Sequence, residues 1–242
     1  MAKKTQLKPG TLLSPLPVAL VSCASGEEKN LITIGWTGII NSEPPMTYVS
    51  VRKSRHSHRL IEESGCFVIN VTTEEIVRAV DWCGVKSGRD FDKFRECGLT
   101  ALPASCVEAP LVAESPINLE CRVVETREYP SHDMFVAEIV AVHCDEDLID
   151  EDGRIRLDKA GLVSYNHGEY FGLKKQALGR FGFSVMKPST ARRINREKQQ
   201  KREQKNAQKR AAGNAGKTGK ASGGKTGKAS GGKTGAKKRP KA

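Results

Sequence analysis

Short runs of β-branched and other apolar residues recur along the first 186 positions, each closed by a turn signal. They predict strands over 18–23, 31–36, 47–51, 66–71, 119–124 and 134–142. Three stretches break that rhythm with helical signals. Residues 57–65 begin at a capping serine and end at a glycine. Thr72 followed by Glu75 has the spacing of a capping box ahead of Ile76, Val77 and Val80, and residues 90–96 predict a third short helix stopped by Gly98. Many strands, few helices and no regular strand–helix alternation argue against a doubly wound sheet. They predict a mainly β, α+β architecture: a barrel with helical additions.

The apolar pattern stops near Met186-Lys187, and no aromatic residue follows. The reading is therefore a folded domain over 1–187 and a Lys/Arg-rich, low-complexity tail over 188–242. Residues 190–212 are rich in helix formers, but Ile194 is their sole large apolar residue, so the helix they predict is marginal in water. Lys-Thr-Gly-Lys-Ala-Ser-Gly-Gly then occurs from Lys217 and again from Lys225 and restarts at Lys233, which reads as flexible, linker-like chain. Charge divides at the same place. The chain from Lys187 holds 19 basic and 2 acidic residues against 21 and 26 before it, so the net charge of +12 combines −5 with +17.

Such a tail neutralises phosphates without stacking on bases. Its readings are sequence-blind attachment to nucleic acid or a solubilising appendage; an anionic lipid surface is disfavoured because no apolar anchor accompanies the charge. No apolar run approaches the roughly 18 residues of a membrane span, so no membrane insertion is expected. The seven cysteines are scattered, with no pair at two-residue spacing, and predict reduced thiols in a cytoplasmic protein.

Candidate chemistry concentrates in two segments. Val51-Arg52-Lys53-Ser54-Arg55-His56-Ser57-His58 joins a predicted strand to a helix start, where unpaired amides, cations and hydroxyls suit a phosphate. It reads equally as a solvated basic loop with Ser57 acting only as a cap. Trp36 lies between Gly35 and Thr37-Gly38, where absent side chains let a planar ligand approach, although a core tryptophan at a strand end is the plainer reading. His56 and His58 lack a carboxylate or cysteine partner at a metal-binding spacing. No Gly-x-Ser-x-Gly and no strand-borne Gly-x-Gly-x-x-Gly occurs, and the acidic residues 145–153 predict a turn and not a calcium loop.

Taken together these segments resemble the flavin reductase-like FMN-binding family, most closely its flavoredoxin branch. The residues that carry the resemblance are Pro15-Leu16-Pro17-Val18, Asn30 through Gly38, Pro44-Pro45 and Ser54-Arg55-His56-Ser57. They continue with Cys83 through Asp90, Asp92-Lys93-Phe94, Ser115 through Cys121, Ser131 through Val136, and Tyr165 ahead of Gly168 through Leu173. No one of these is specific; their common order is. The resemblance implies an FMN-binding split β-barrel, usually a homodimer, with non-covalent FMN near the subunit interface. It implies that Asn30, Trp36, Thr37 and Gly38 line the ring and ribityl side, and that Arg52, Ser57 and His58 take the phosphate. Lys93, His132 and Tyr165 match positions of flavin contact. It implies an oxidoreductase, either an NAD(P)H-dependent flavin reductase or an electron carrier served by a redox protein, with no catalytic side chain needed because the chemistry is at FMN. The rival reading is a nucleic-acid-associated protein in which the barrel is a dimerising body for two basic tails.

Overall fold

The computed structural model describes residues 2–174 and 176–218. The chain divides into one unit over Met1–Leu178 and another over Gly179–Ala242. Among the described residues, twelve strands run through the first unit. They are β1 (Leu16–Pro17), β2 (Ala19–Ser25), β3 (Glu28–Ile34), β4 (Thr37–Ser42), β5 (Pro45–Val51), β6 (Cys66–Val71), β7 (Ala101–Leu102), β8 (Leu111–Val112), β9 (Ile117–Glu128), β10 (Asp133–Cys144), β11 (Val163–Asn166) and β12 (Glu169–Gly172). Its helices are α1 (His56–Ser64), α2 (Val77–Val85) and α3 (Lys93–Cys97), and α4 (Pro188–Thr218) lies in the second unit. Among the described residues no helix is long and apolar enough to cross a membrane.

Seven strands form one antiparallel sheet in the order β3-β2-β6-β9-β10-β5-β4. Its two edge strands, β3 and β4, are consecutive in the chain and joined through Gly35-Trp36 alone. Three residues of chain from Ile34 to Thr37 span at most about 11 Å. The sheet must therefore curl until the end of β3 lies beside the start of β4, which is why this pattern gives a split barrel and not a flat open sheet. A three-stranded sheet, β1-β11-β12, lies beside it.

Side-chain alternation along β2 and β3 splits the core in two. Val21, Cys23, Ile32 and Ile34 join Phe67, Phe135 and the α1 residues Leu60 and Ile61 in one buried cluster. Leu20 and Leu31 face the other way, into a cluster with Val80 and Cys83 of α2 and Phe94 of α3. Both faces of β2 are covered, and it accordingly reads as a nearly continuous apolar run.

Helix ends follow the sequence more closely at their stops than at their starts. Gly65 and Gly98 end α1 and α3 in the left-handed conformation, at φ 64° and 63°. Ser57 does not cap α1: Arg55 is the N-cap, without a side-chain hydrogen bond, and the helix starts at His56. The Thr72–Glu75 pair does not form a capping box either. Thr72 Oγ1 donates to the carbonyl of Val18, and α2 begins after Ile76. The acidic segment turns tightly, with Asp150 Oδ1 accepting from the amides of Asp152 and Arg154. The marginal helix expected over 190–212 is present within α4, whereas the repeats that begin at Lys217 lie outside the described residues after Thr218.

Candidate functional site

Register brings the candidate residues to one rim of the barrel. Asp133 at the start of β10 pairs with Val51 at the end of β5, so His132 and Arg52 leave the sheet side by side. Trp36 leaves the end of β3 at the same rim and is held there by Ser50, whose amide donates to its carbonyl at 2.9 Å. The rings of Trp36 and His132 pack at 4.5 Å with 40° between their planes. Tyr165 arrives from β11, paired with Leu16 of β1, and rests against Tyr170 at 5.2 Å.

These groups line a cavity of about 430 Å³ that also takes in Gly35, Ser50 and Arg55. Trp36 is 38% exposed, which decides between the two sequence readings: it is a wall and not a core residue. His132 Nδ1 lies 2.8 Å from Ser131 Oγ. Burial, reinforced by the positive charge of Arg52 and opposed by Asp133, holds the His132 pKa below its ordinary value. The ring is therefore neutral at pH 7, a hydrogen-bonding group rather than a cation.

A second cavity, of about 470 Å³, adjoins the first and shares Ile32, Arg52 and Arg55 with it. Ser54, His56, Ser57, Asn30, Ser87, Gly88 and Arg89 line it. Asn30 Nδ2 donates to Ser57 Oγ at 2.8 Å, so the hydroxyl faces the cavity wall instead of capping its own helix. Gly88 is fixed by close approach, since a Cβ there would stand 2.3 Å from Asn30 Oδ1. Lys93 also borders the cavity, but its ammonium donates to the carbonyls of Leu31 and Cys83, each at 2.8 Å, and ties α3 to β3 and α2. Burial pushes its pKa down.

Of the sequence candidates, Trp36, Arg52, His132 and Tyr165 meet in the first cavity, and Asn30, Arg52, Ser57 and Lys93 in the second. Three lie elsewhere. Thr37 and Gly38 border a separate apolar cleft with Ile39, Leu162 and Leu173, and Thr37 Oγ1 donates to the Tyr48 carbonyl at 2.6 Å. His58 turns away from Ser57, its helical neighbour, because successive helix residues point about 100° apart. Its Nε2 lies 2.7 Å from Asp133 Oδ2 and its ring packs on Phe135 at 5.2 Å.

Arg55, Ser87, Arg89 and Tyr170 line the cavities without having been singled out. The signal was in the sequence, in the basic segment, in Cys83 through Asp90 and in Gly168 through Leu173. What it did not show is that the α2–α3 loop folds back onto the start of α1. The paired cavities suit an elongated ligand that is flat and aromatic at one end and anionic at the other.

The flavin reductase-like domain model matches residues 12–174. The fold is similar to that of flavoredoxin from Desulfovibrio vulgaris (Miyazaki F), with a TM-score of 0.71 and 32% identity over 75% of this chain and 100% of that one. It is similar as well to flavoredoxin from Methanosarcina acetivorans, with a TM-score of 0.70 and 31% identity over 76% of this chain and 100% of that one. An uncharacterized protein of Pyrococcus abyssi is 32% identical over 159 residues, which make up 66% of this chain and 91% of that protein.

Proposed function

Because this chain belongs to the flavin reductase-like domain family, we propose that it is an FMN-dependent oxidoreductase that passes electrons from NAD(P)H or a protein donor through the bound cofactor. The observation that carries the proposal is the pair of joined cavities, aromatic at one end and cationic at the other, with Arg52 and Arg55 belonging to both. The donor set fits FMN. Trp36, Tyr165 and neutral His132 offer flat walls and a hydrogen-bonding edge to the isoalloxazine, while Arg52, Arg55, Arg89, Ser57 and the start of α1 offer cations, a hydroxyl and amides to a phosphate dianion. When bound, FMN supplies the redox chemistry, accepting a hydride at N5 or single electrons.

The side chains bind and orient. None is needed as general acid or base, and Lys93 serves by holding α3 in place through the Leu31 and Cys83 carbonyls. A homodimer belongs to the same proposal. β4 is an edge strand that exposes Ile39 and Ile40 beside the apolar cleft, and a second copy laid there would cover both. The visible absorption spectrum of the full-length protein, the identity of any flavin released on denaturation, and bleaching under anaerobic NADH and NADPH test the reading. A protein that is colourless and fails to take up added FMN overturns it. Bleaching by neither nucleotide removes the reductase and leaves the electron carrier.

For the tail, we propose a sequence-blind contact with nucleic-acid phosphates. Within α4, Ile194 is the one large apolar side chain among many basic ones, so the helix has charge to present and little to bury.

A further inference from the structure

Cys83 and Cys97 face each other across the junction of α2 and α3 with their sulfurs 3.7 Å apart. Both are free thiols. A disulfide needs an S–S distance of about 2.05 Å, and small side-chain rotations on two neighbouring helices can close a gap of roughly 1.7 Å. The position matters as much as the distance. Cys83 lines the second cavity, and Cys97 ends α3 at the glycine stop. The chain between them carries Ser87, Gly88 and Arg89, which form one wall of that cavity, and Lys93, whose ammonium is bound to the Cys83 carbonyl.

We infer that Cys83 and Cys97 are a redox-convertible dithiol, closed to an intramolecular disulfide by a peroxide. The Cys97 thiolate attacks one oxygen of hydrogen peroxide, the O–O bond breaks, and hydroxide departs to leave a sulfenic acid. The Cys83 sulfur then attacks the Cys97 sulfur, the S–O bond breaks, and the S–S bond forms. The two thiol protons leave with the two peroxide oxygens as two waters, and the two electrons lost by the thiols are those the peroxide gains.

Cys97 is the attacking partner for two reasons. It is partly exposed, whereas Cys83 is buried. Burial and the neighbouring Cys97 push the Cys83 thiol up to about 12; burial raises Cys97 as well, but there the hydrogen bond with Cys83 works the other way and opposes the rise. The cross-link ties the ends of the segment 84–96 and so restricts the loop that walls the second cavity. Nothing in this step requires a bound flavin, so the inference stands apart from the proposed function.

The test uses the full-length protein, oxidised with hydrogen peroxide, alkylated with N-ethylmaleimide, digested without reduction and mapped by mass. The expected product is a peptide pair joined through Cys83 and Cys97, lighter by two hydrogens and released by dithiothreitol. Cys97→Ser abolishes that pair, and Cys106→Ser leaves it unchanged. Alkylation of both Cys83 and Cys97 after an exposure that modifies Cys106 would overturn the inference. So would accumulation of Cys97 sulfinic acid with no linked peptide.

Discussion

Glu120 and the Arg52–Arg55 pair are charges carried by or beside the same barrel, and they stand in opposite conditions. Glu120 is fully buried on β9 and saturated: it accepts from the amide and hydroxyl of Ser105 and from the Cys106 amide, and its Oε1 lies 2.6 Å from His143 Nε2. Burial works against its ionisation, but these partners outweigh it and push the carboxyl down to about 2. Arg59, Arg127 and Arg156 likewise have carboxylate partners within the chain. Arg52, Arg55 and Arg89 form no such ion pair among the described residues, and all three line the second cavity. A charge whose partners are all internal holds the fold. A group of like charges left without counter-ions around a cavity is a place for an external anion.

That contrast is open to direct attack. Replacing both Arg52 and Arg55 with Ala removes two charge-assisted contacts and should weaken FMN binding by about 100-fold or more. Flavin fluorescence titration reads the loss, with the thermal midpoint unchanged. Unaltered affinity would remove the distinction. Glu120→Gln should do the reverse, leaving FMN affinity alone and lowering unfolding stability by about 3 kcal/mol, the worth of the carboxyl's displacement from its ordinary value. The sign follows from a folded pKa depressed below the unfolded one. The stabilisation is complete above about 4.5 and disappears as pH falls toward 2, so urea midpoints of wild type and variant should converge over that window.

Smaller effects sharpen the picture. Gly88→Ala brings a Cβ against Asn30 and should reduce FMN affinity roughly tenfold, by about 1.4 kcal/mol, without altering secondary structure by circular dichroism. Removing residues 188–242 should leave FMN affinity unchanged and abolish salt-sensitive retention on immobilised duplex DNA. A fall in flavin affinity instead would place part of the binding site beyond the barrel.

The parts of the fold legible in sequence were those in which one physical signal dominates. Residues 66–71 form a strand as expected because both neighbours and both faces are apolar, and Gly65 and Gly98 stop their helices because only a left-handed residue fits there. β4 was missed since an edge strand with an exposed apolar row has no alternation to show, and β11 and β12 since four-residue strands give too few periods. Within the site, Trp36, Arg52 and Ser57 were recoverable from local composition, and His132 only through the family resemblance. Arg89 was not, because its place depends on the α2–α3 loop returning to α1. His58 and Ser57 are adjacent in sequence and so seem alike, but only the helix phase separates the one held by Asp133 from the one at the cavity.

A paired titration of the flavin-free full-length protein with FMN and with riboflavin separates the two ends of the site. The two ligands share the ring and differ in the phosphate. If the unpaired arginines and Ser57 form an anion end joined to an aromatic one, FMN should bind at least about 100-fold more tightly than riboflavin, a difference of about 2.7 kcal/mol, and the difference should shrink as salt rises. Equal affinities, or binding of neither ligand, would contradict it.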